Sequence, residues 1–335
     1  MFLLKWIKWI RNKLASDTVK TMETPDMAMI KVRQFLEDVD LVPTEIIVTL
    51  FNDSIELSLG GKVEVKYVDR GDYCTVEWNT LTSKYHRNFL DVFSNEFCAI
   101  LQISKPSLRY LEILIDDYHL SRTTRKLFWI RSRAKKYRRS GVPDKTMLKL
   151  FANYQKIMNF FDAHPMEIKS LKITGLGDSQ LSNILSKIKT EDLSILTTVG
   201  GAKSFDFKEI VKLENWKSVN CLTVRPNTKA HPVTLFFDKP ALFIGIDKIS
   251  SDEICLIIKT FRKNPSMEEW HLNFDEHFDV MDLLVKEFGQ PSQKNEWYFN
   301  VPGSEEVLNV SIWSKGTIDF NKLDRDEIPE GVVIH

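Results

Sequence analysis

The stretch FIGIDKISSDEICLIIKTFRKNPSMEEWHLNF, residues 243–274, decides how this chain is read. It belongs to a strand from Ala241 to Ile246, passes through a helix from Ser251 to Phe261, and enters a second strand from Met267 to Phe274. The same alternation recurs on both sides. Upstream, Ile168–Ile173, Leu193–Leu196 and Val219–Val224 are strand-like, and Asp178–Ile188 and Phe207–Trp216 are helix-like. Downstream, Phe278–Phe288 reads as a helix, and Trp297–Val301 with Val307–Trp313 as a closing hairpin. A leucine marks five strands, at Leu171, Leu193, Leu222, Leu242 and Leu272, with spacings of 22, 29, 20 and 30 residues. That range fits irregular leucine-rich-like units, each burying its face on the next. No asparagine ladder accompanies them.

The first third has a different period. Ile46, Val48 and Leu50 alternate, as do Ile55, Leu57 and Leu59, and Val63, Val65 and Tyr67 follow Gly60-Gly61. Two alternating runs around Gly-Gly predict a hairpin, because a tight turn there needs positive φ. Asp69-Arg70-Gly71-Asp72 predicts a second turn, so residues 44–80 read as a meander of about four strands. Phe89–Ile103 is a predicted helix and Leu108–Ile115 a buried strand.

Charge excludes some classes. Lys and Arg total 46, as do Asp and Glu, so the chain is neither a global polycation nor an acidic disordered protein. The imbalance is local: nine basic residues and no acidic one lie between Arg122 and Arg139, with Phe128, Trp129 and Tyr137 among them. Such a run needs water or an anionic partner. Nucleic acid, an import signal and a solvated insertion all fit, and Arg131, Arg133, Lys135, Lys136, Arg138 and Arg139 are the candidate anion-binding residues. At the N-terminus, Leu3, Trp6, Ile7, Ile10 and Leu14 share a helical face opposite Lys5, Lys8 and Asn12. Three readings remain, in this order: a helix packed on its own domain, an interfacial membrane helix over 1–14, and a frayed or mis-assigned start. Four cysteines far apart, with no secretory signal core, predict a reducing compartment, cytoplasmic or nuclear.

Catalytic motifs are weak. Thr174-Gly175-Leu176-Gly177-Asp178-Ser179-Gln180 starts like a dinucleotide loop, but Gln180 stands where a third glycine is needed. It reads as a turn into a helix. His271, Asp275, Glu276 and His277 cluster without a matched second pair of ligands. Arg70-Gly71-Asp72 reads as a hairpin turn. No Ser or Cys has a nucleophile-elbow context. The expectation is a non-enzyme with no catalytic residue, cofactor, metal or small-molecule substrate. Trp216 and Trp270 are expected in the core, as are Phe151, Tyr154, Ile157, Met158 and Phe161.

Several segments, in order, resemble the nematode F-box proteins that carry an FTH domain, a domain of unknown function. They are VRQFLEDVDL (32–41), EIIVTLFNDSIELSL (45–59), YCTVEW (73–78), FKEIVKLENWKSVNCLTVR (207–225) and residues 243–274. The resemblance implies an F-box that binds the adaptor of cullin-type ubiquitin ligases, through Val32, Phe35 and Leu36, and an FTH region that recognises a target protein. The Leu-Pro-type opening of an F-box is missing from residues 1–30, so a truncated or degenerate F-box is implied and adaptor binding stays open.

Together these readings predict an α+β protein. A helix, loop and F-box remnant (1–43) precede a meander with helix and strand (44–117) and a basic insertion (118–145). A leucine-rich-like strand–helix domain (146–316) and a charged tail (317–335), expected to be disordered from 321 onward, complete it. The expected function is protein recognition, with ubiquitin-ligase substrate reception as one form and nucleic-acid association through 122–139 as the alternative.

Overall fold

A computed structural model of the chain describes residues 42–51, 54–78, 81–105, 108–115, 158–159, 161–162, 165–175, 178–196, 206–228, 233–246, 249–274, 280–292, 295–314 and 316–335. The N-terminal amphipathic stretch, Val32, Phe35, Leu36 and the basic run with Arg131, Arg133, Lys135, Lys136, Arg138 and Arg139 lie outside these residues.

Four strands form the expected meander: β1 (Glu45–Leu50), β2 (Ser54–Leu59), β3 (Val63–Asp69) and β4 (Cys74–Trp78), with β5 (Leu81–Tyr85) added at its end. Gly60 and Gly61 both adopt positive φ, +57° and +63°, as the β2–β3 turn requires. At the next turn the Arg70 N–H donates to Tyr73 O, and Gly71 has φ +86°. Helix α1 (Phe89–Ser104) then leads to β6 (Tyr110–Ile115). Further along come β7 (Met166–Thr174), α2 (Asp178–Leu185), β8 (Ile188–Leu196), β9 (Cys221–Thr228) and β10 (Ala241–Ile246). Helix α3 (Ser251–Phe261), β11 (Glu269–Phe274), α4 (Val280–Phe288), β12 (Glu296–Asn300), β13 (Val307–Ser314) and β14 (Thr317–Leu323) follow.

All fourteen described strands belong to one sheet, in the order β12-β13-β14-β11-β10-β9-β8-β7-β6-β1-β2-β3-β4-β5. This overturns the expected fold class. Among the described residues, the expected meander followed by leucine-rich-like strand–helix units gives way to one large mixed sheet with few helices, and the helical remnant expected over 1–43 falls almost wholly outside those residues. Pairing at two places explains the difference. β1 pairs parallel with β6, which ties the meander into the run β6–β11. β14 pairs antiparallel with β11 on one side and β13 on the other, so an antiparallel unit ends the parallel run.

Two local expectations also change. Phe207–Trp216 is not one helix: it holds short 3-10 turns at Ile210–Lys212 and Glu214–Ser218, because Leu213 between them is extended (ψ 140°). The stretch from 321 onward, expected to be disordered, instead carries the end of β14, where Asn321, Lys322 and Leu323 pair with Asn309, Leu308 and Val307.

The core lies on one face of the sheet. In register, Ile46, Leu111, Leu171, Leu193, Leu222 and Leu242 form a continuous apolar row. Four of the five marked leucines are in it, but the row continues into Trp270, while Leu272 sits one rank along beside Ile244. The described helices pack on this face. Phe93 of α1 meets Tyr67 edge-on at 5.3 Å, Phe261 of α3 meets Trp270 at 5.6 Å, and Phe288 of α4 meets Phe299 at 4.9 Å. Leu181, Ile184 and Leu185 place α2 in the same cluster. Trp216 and Trp270 are buried as expected, as are Met158 and Phe161, whereas Phe151, Tyr154 and Ile157 lie outside the described residues.

Candidate recognition face

Alternation along a strand sends every second side chain away from the core. Since the described helices all pack on the other side, these residues form a second face with no described helix against it. Its central row runs in register through Ile47, Glu112, Lys172, Ser194, Thr223, Phe243, His271 and Asp319. Most of these side chains are half-buried, set among their cross-strand neighbours rather than in a core.

The row is internally paired. Lys172 Nζ lies 3.0 Å from Glu112 Oε1. The Tyr110 hydroxyl donates to Glu112 Oε2 at 2.9 Å, and burial, then Glu112, hold its phenol above the usual range. His271 Nδ1 lies 2.5 Å from Asp319 Oδ1, and the imidazole stacks on Phe243 with ring centroids 6.3 Å apart. Thr317 donates to Asn273 Oδ1 at 2.9 Å one step along the same pair of strands. At the far end, Tyr298 donates to Glu296 Oε2 at 2.6 Å, and burial with Glu296 pushes its phenol up to about 12. Asn309 is buried between these groups with its Nδ2 unpartnered. The parallel strands also place Glu45, Asp192 and Glu269 in a neighbouring rank, so one border of the face carries three carboxylates. Aromatic, aliphatic and charged groups in fixed rows suit contact with a folded partner.

His271 faces Asp319, and the other members of its cluster, Asp275, Glu276 and His277, lie outside the described residues. Among the described residues no three His, Cys, Asp or Glu side chains gather to hold a metal ion. Gly175, with φ +81°, turns the chain out of β7 as its N–H donates to Leu196 O. All four thiols are free. Burial pushes Cys74 up to about 12 and Cys98 to about 11, far from a reactive thiolate. The contact of His271 with Asp319 was not legible in the sequence. They are 48 residues apart, and only the placing of β14 beside β11 joins them. Alternation within Glu269–Phe274 does place His271 opposite Trp270 and Leu272, and that was the available signal.

Among the described residues, no helix is long and apolar enough to cross a membrane. No curated protein matches the chain, and no solved structure matches it. Residues 151–285 match the family model of the FTH domain, an F-box-associated domain, and this stretch contains β7–β11 with the His271 end of the central row.

Proposed function

We propose that this chain is a non-enzymatic protein-recognition module, and that the sheet face opposite the described helices is where it holds its target. The observation that carries this reading is the continuous half-exposed row across β7–β11, all within the stretch matched to the F-box-associated FTH domain. A rigid ladder fixes the spacing of Lys172, Thr223, Phe243 and His271, so a partner meets a surface ordered before binding. Recognition of a target for a cullin-type ubiquitin ligase is the form we favour, in which binding geometry brings the target to the ligase.

Two measurements test it. Pull-down of the purified full chain with the ligase adaptor, beside a Phe35→Ala, Leu36→Ala variant, tests the ligase role. Binding by the intact chain that is lost in the variant is expected, and no binding by the intact chain removes that role. For the face, a photo-crosslinker at Thr223 is compared in the parent and in Phe243→Lys. Defined crosslinked proteins in the parent, lost in the variant at unchanged circular dichroism, are expected. An identical pattern in both places recognition elsewhere. The basic run Arg122–Arg139 favours one second reading, nucleic-acid association. Genuine phosphate contacts make affinity fall steeply with salt, and no binding at low salt excludes it.

A further inference from the structure

The outer edge of β12 is covered by the chain's own segment Gly331–His335. Tyr298 and Ile334 form a parallel bridge. The His335 N–H donates to Tyr298 O at 2.7 Å, and the Asn300 N–H donates to His335 O at 3.0 Å. Ser292 holds the segment from the side, its hydroxyl donating to Val333 O at 3.0 Å. Ser292 N–H also donates to Glu296 O at 2.9 Å, so the outward groups Glu296 O, Tyr298 O and Asn300 N–H all have partners. The imidazole of His335 rests 5.8 Å from the Phe299 ring.

This strap is held by its backbone more than by burial. Val333 remains 60% exposed and Ile334 38% exposed, among the few large apolar side chains that the described residues leave in water. Gly331, with φ +81°, bends the chain into it. An unpaired strand edge is a template for another strand, and strand addition draws its affinity from main-chain hydrogen bonds.

We propose that the β12 edge is a strand-acceptor site, filled here in cis, and that it takes the same Gly331–His335 segment from a second copy of this chain. The strap itself shows what fits: a short extended β-branched segment running parallel to β12. A second copy supplies that sequence, and exchange of the segment between copies would remake the same bonds between chains. The site uses the main-chain edge of β12, whose Tyr298 and Glu296 side chains lie at the far end of the sheet face, and it does not depend on that face holding a target.

The test uses the full chain, a chain ending at Glu327, and a labelled peptide of residues 328–335, IPEGVVIH. The shortened chain has an open edge and no strap to donate. It is expected to bind the peptide and to form a one-to-one complex with the full chain by light scattering. Asn300→Pro in the shortened chain is expected to weaken both at least tenfold, because it removes the outward N–H, and an edge strand tolerates proline there. A folded shortened chain that binds neither peptide nor full chain overturns the proposal. Peptide binding without a complex between copies overturns the second copy as occupant and leaves a foreign extended segment in its place. Should the shortened chain not fold, hydrogen exchange on the full chain decides. The Asn300 amide is expected to exchange at least tenfold faster than that of Val310 in β13, and equal rates overturn the proposal.

Discussion

Glu96 and Lys239 are charge-bearing side chains set among apolar ones, and each ties an element to the core. The Tyr67 hydroxyl donates to Glu96 Oε2 at 2.5 Å beneath α1. Burial pushes the Glu96 carboxyl up from 4.5 to about 7, against the lowering effect of the Tyr67 bond. Between those values the folded chain holds a proton that the unfolded chain has lost, so stability is full below about 4.5 and falls as pH rises to about 7. Urea unfolding at pH 5 and pH 8 is expected to differ by about 2–3 kcal/mol from this group, and Glu96→Gln, which keeps an acceptor for Tyr67, is expected to remove that share. Lys239 is fully buried. Its Nζ donates to Trp216 O at 2.7 Å and lies 4.5 Å from the Trp216 ring centroid, while its own carbonyl accepts from Trp270 Nε1. Burial lowers its pKa, and Asp238 beside it opposes the shift. Lys239→Ala leaves the Trp216 carbonyl with the Val219 N–H as its remaining donor and empties the buried space beside the Trp216 ring, and a loss of about 3 kcal/mol by chemical denaturation is expected. Trp216→Ala is expected to cost about 3–5 kcal/mol. A melt unchanged from the parent counts against its placement in the core.

Single positions govern whole elements where the backbone has no alternative. Gly316 ends the connection between β13 and β14 at φ +99°, and a Cβ there would stand 2.5 Å from Phe274 O. That carbonyl belongs to β11, so the clash falls on the strand that joins β14 to the rest of the sheet. Gly316→Ala is expected to destabilise by about 2 kcal/mol or more, from positive φ and the displaced carbonyl together. Hydrogen exchange at Phe274 N–H, which donates to Gly316 O at 2.8 Å, reads the local effect, and slow exchange retained in the variant argues against it. Helix α3 starts at a complete capping box, Ser250 with Glu253. Ser250→Ala is expected to cost about 1 kcal/mol, seen as a shift in urea midpoint with unchanged slope.

At the scale of the molecule, the sheet sets the folding unit. The matched stretch 151–285 lacks β6, which pairs with β7, and β14, which pairs with β11. Cut out alone, it exposes two strand edges flanked by buried apolar residues such as Leu171 and Trp270. Residues 151–285 are therefore expected to aggregate, and the full chain to elute as a defined species. A monomeric 151–285 fragment with a cooperative melt would show that the flanking strands are dispensable.

Local order was legible in this sequence wherever one residue's neighbours impose it. The alternation at Ile46, Val48 and Leu50, the Gly60-Gly61 turn, helix α1, helix α3 and the β12–β13 pair all follow from period and turn chemistry. Which strands lie side by side was not legible. Nothing in Glu45–Leu50 names Tyr110–Ile115 as its parallel partner, and nothing in Thr317–Leu323 announces a place between β11 and β13. The charged, proline-containing stretch from 321 onward reads as solvated chain until Asn321–Leu323 are seen paired with β13 and His335 bonded to β12. The sequence alone determined the faces of the strands it revealed, because side-chain alternation is a property of the backbone. Tertiary structure alone decided strand order, and with it the single sheet, the His271–Asp319 contact and the strap on β12. Pairing between distant segments depends on which edges remain open after the others have closed, and that is a property of the whole chain.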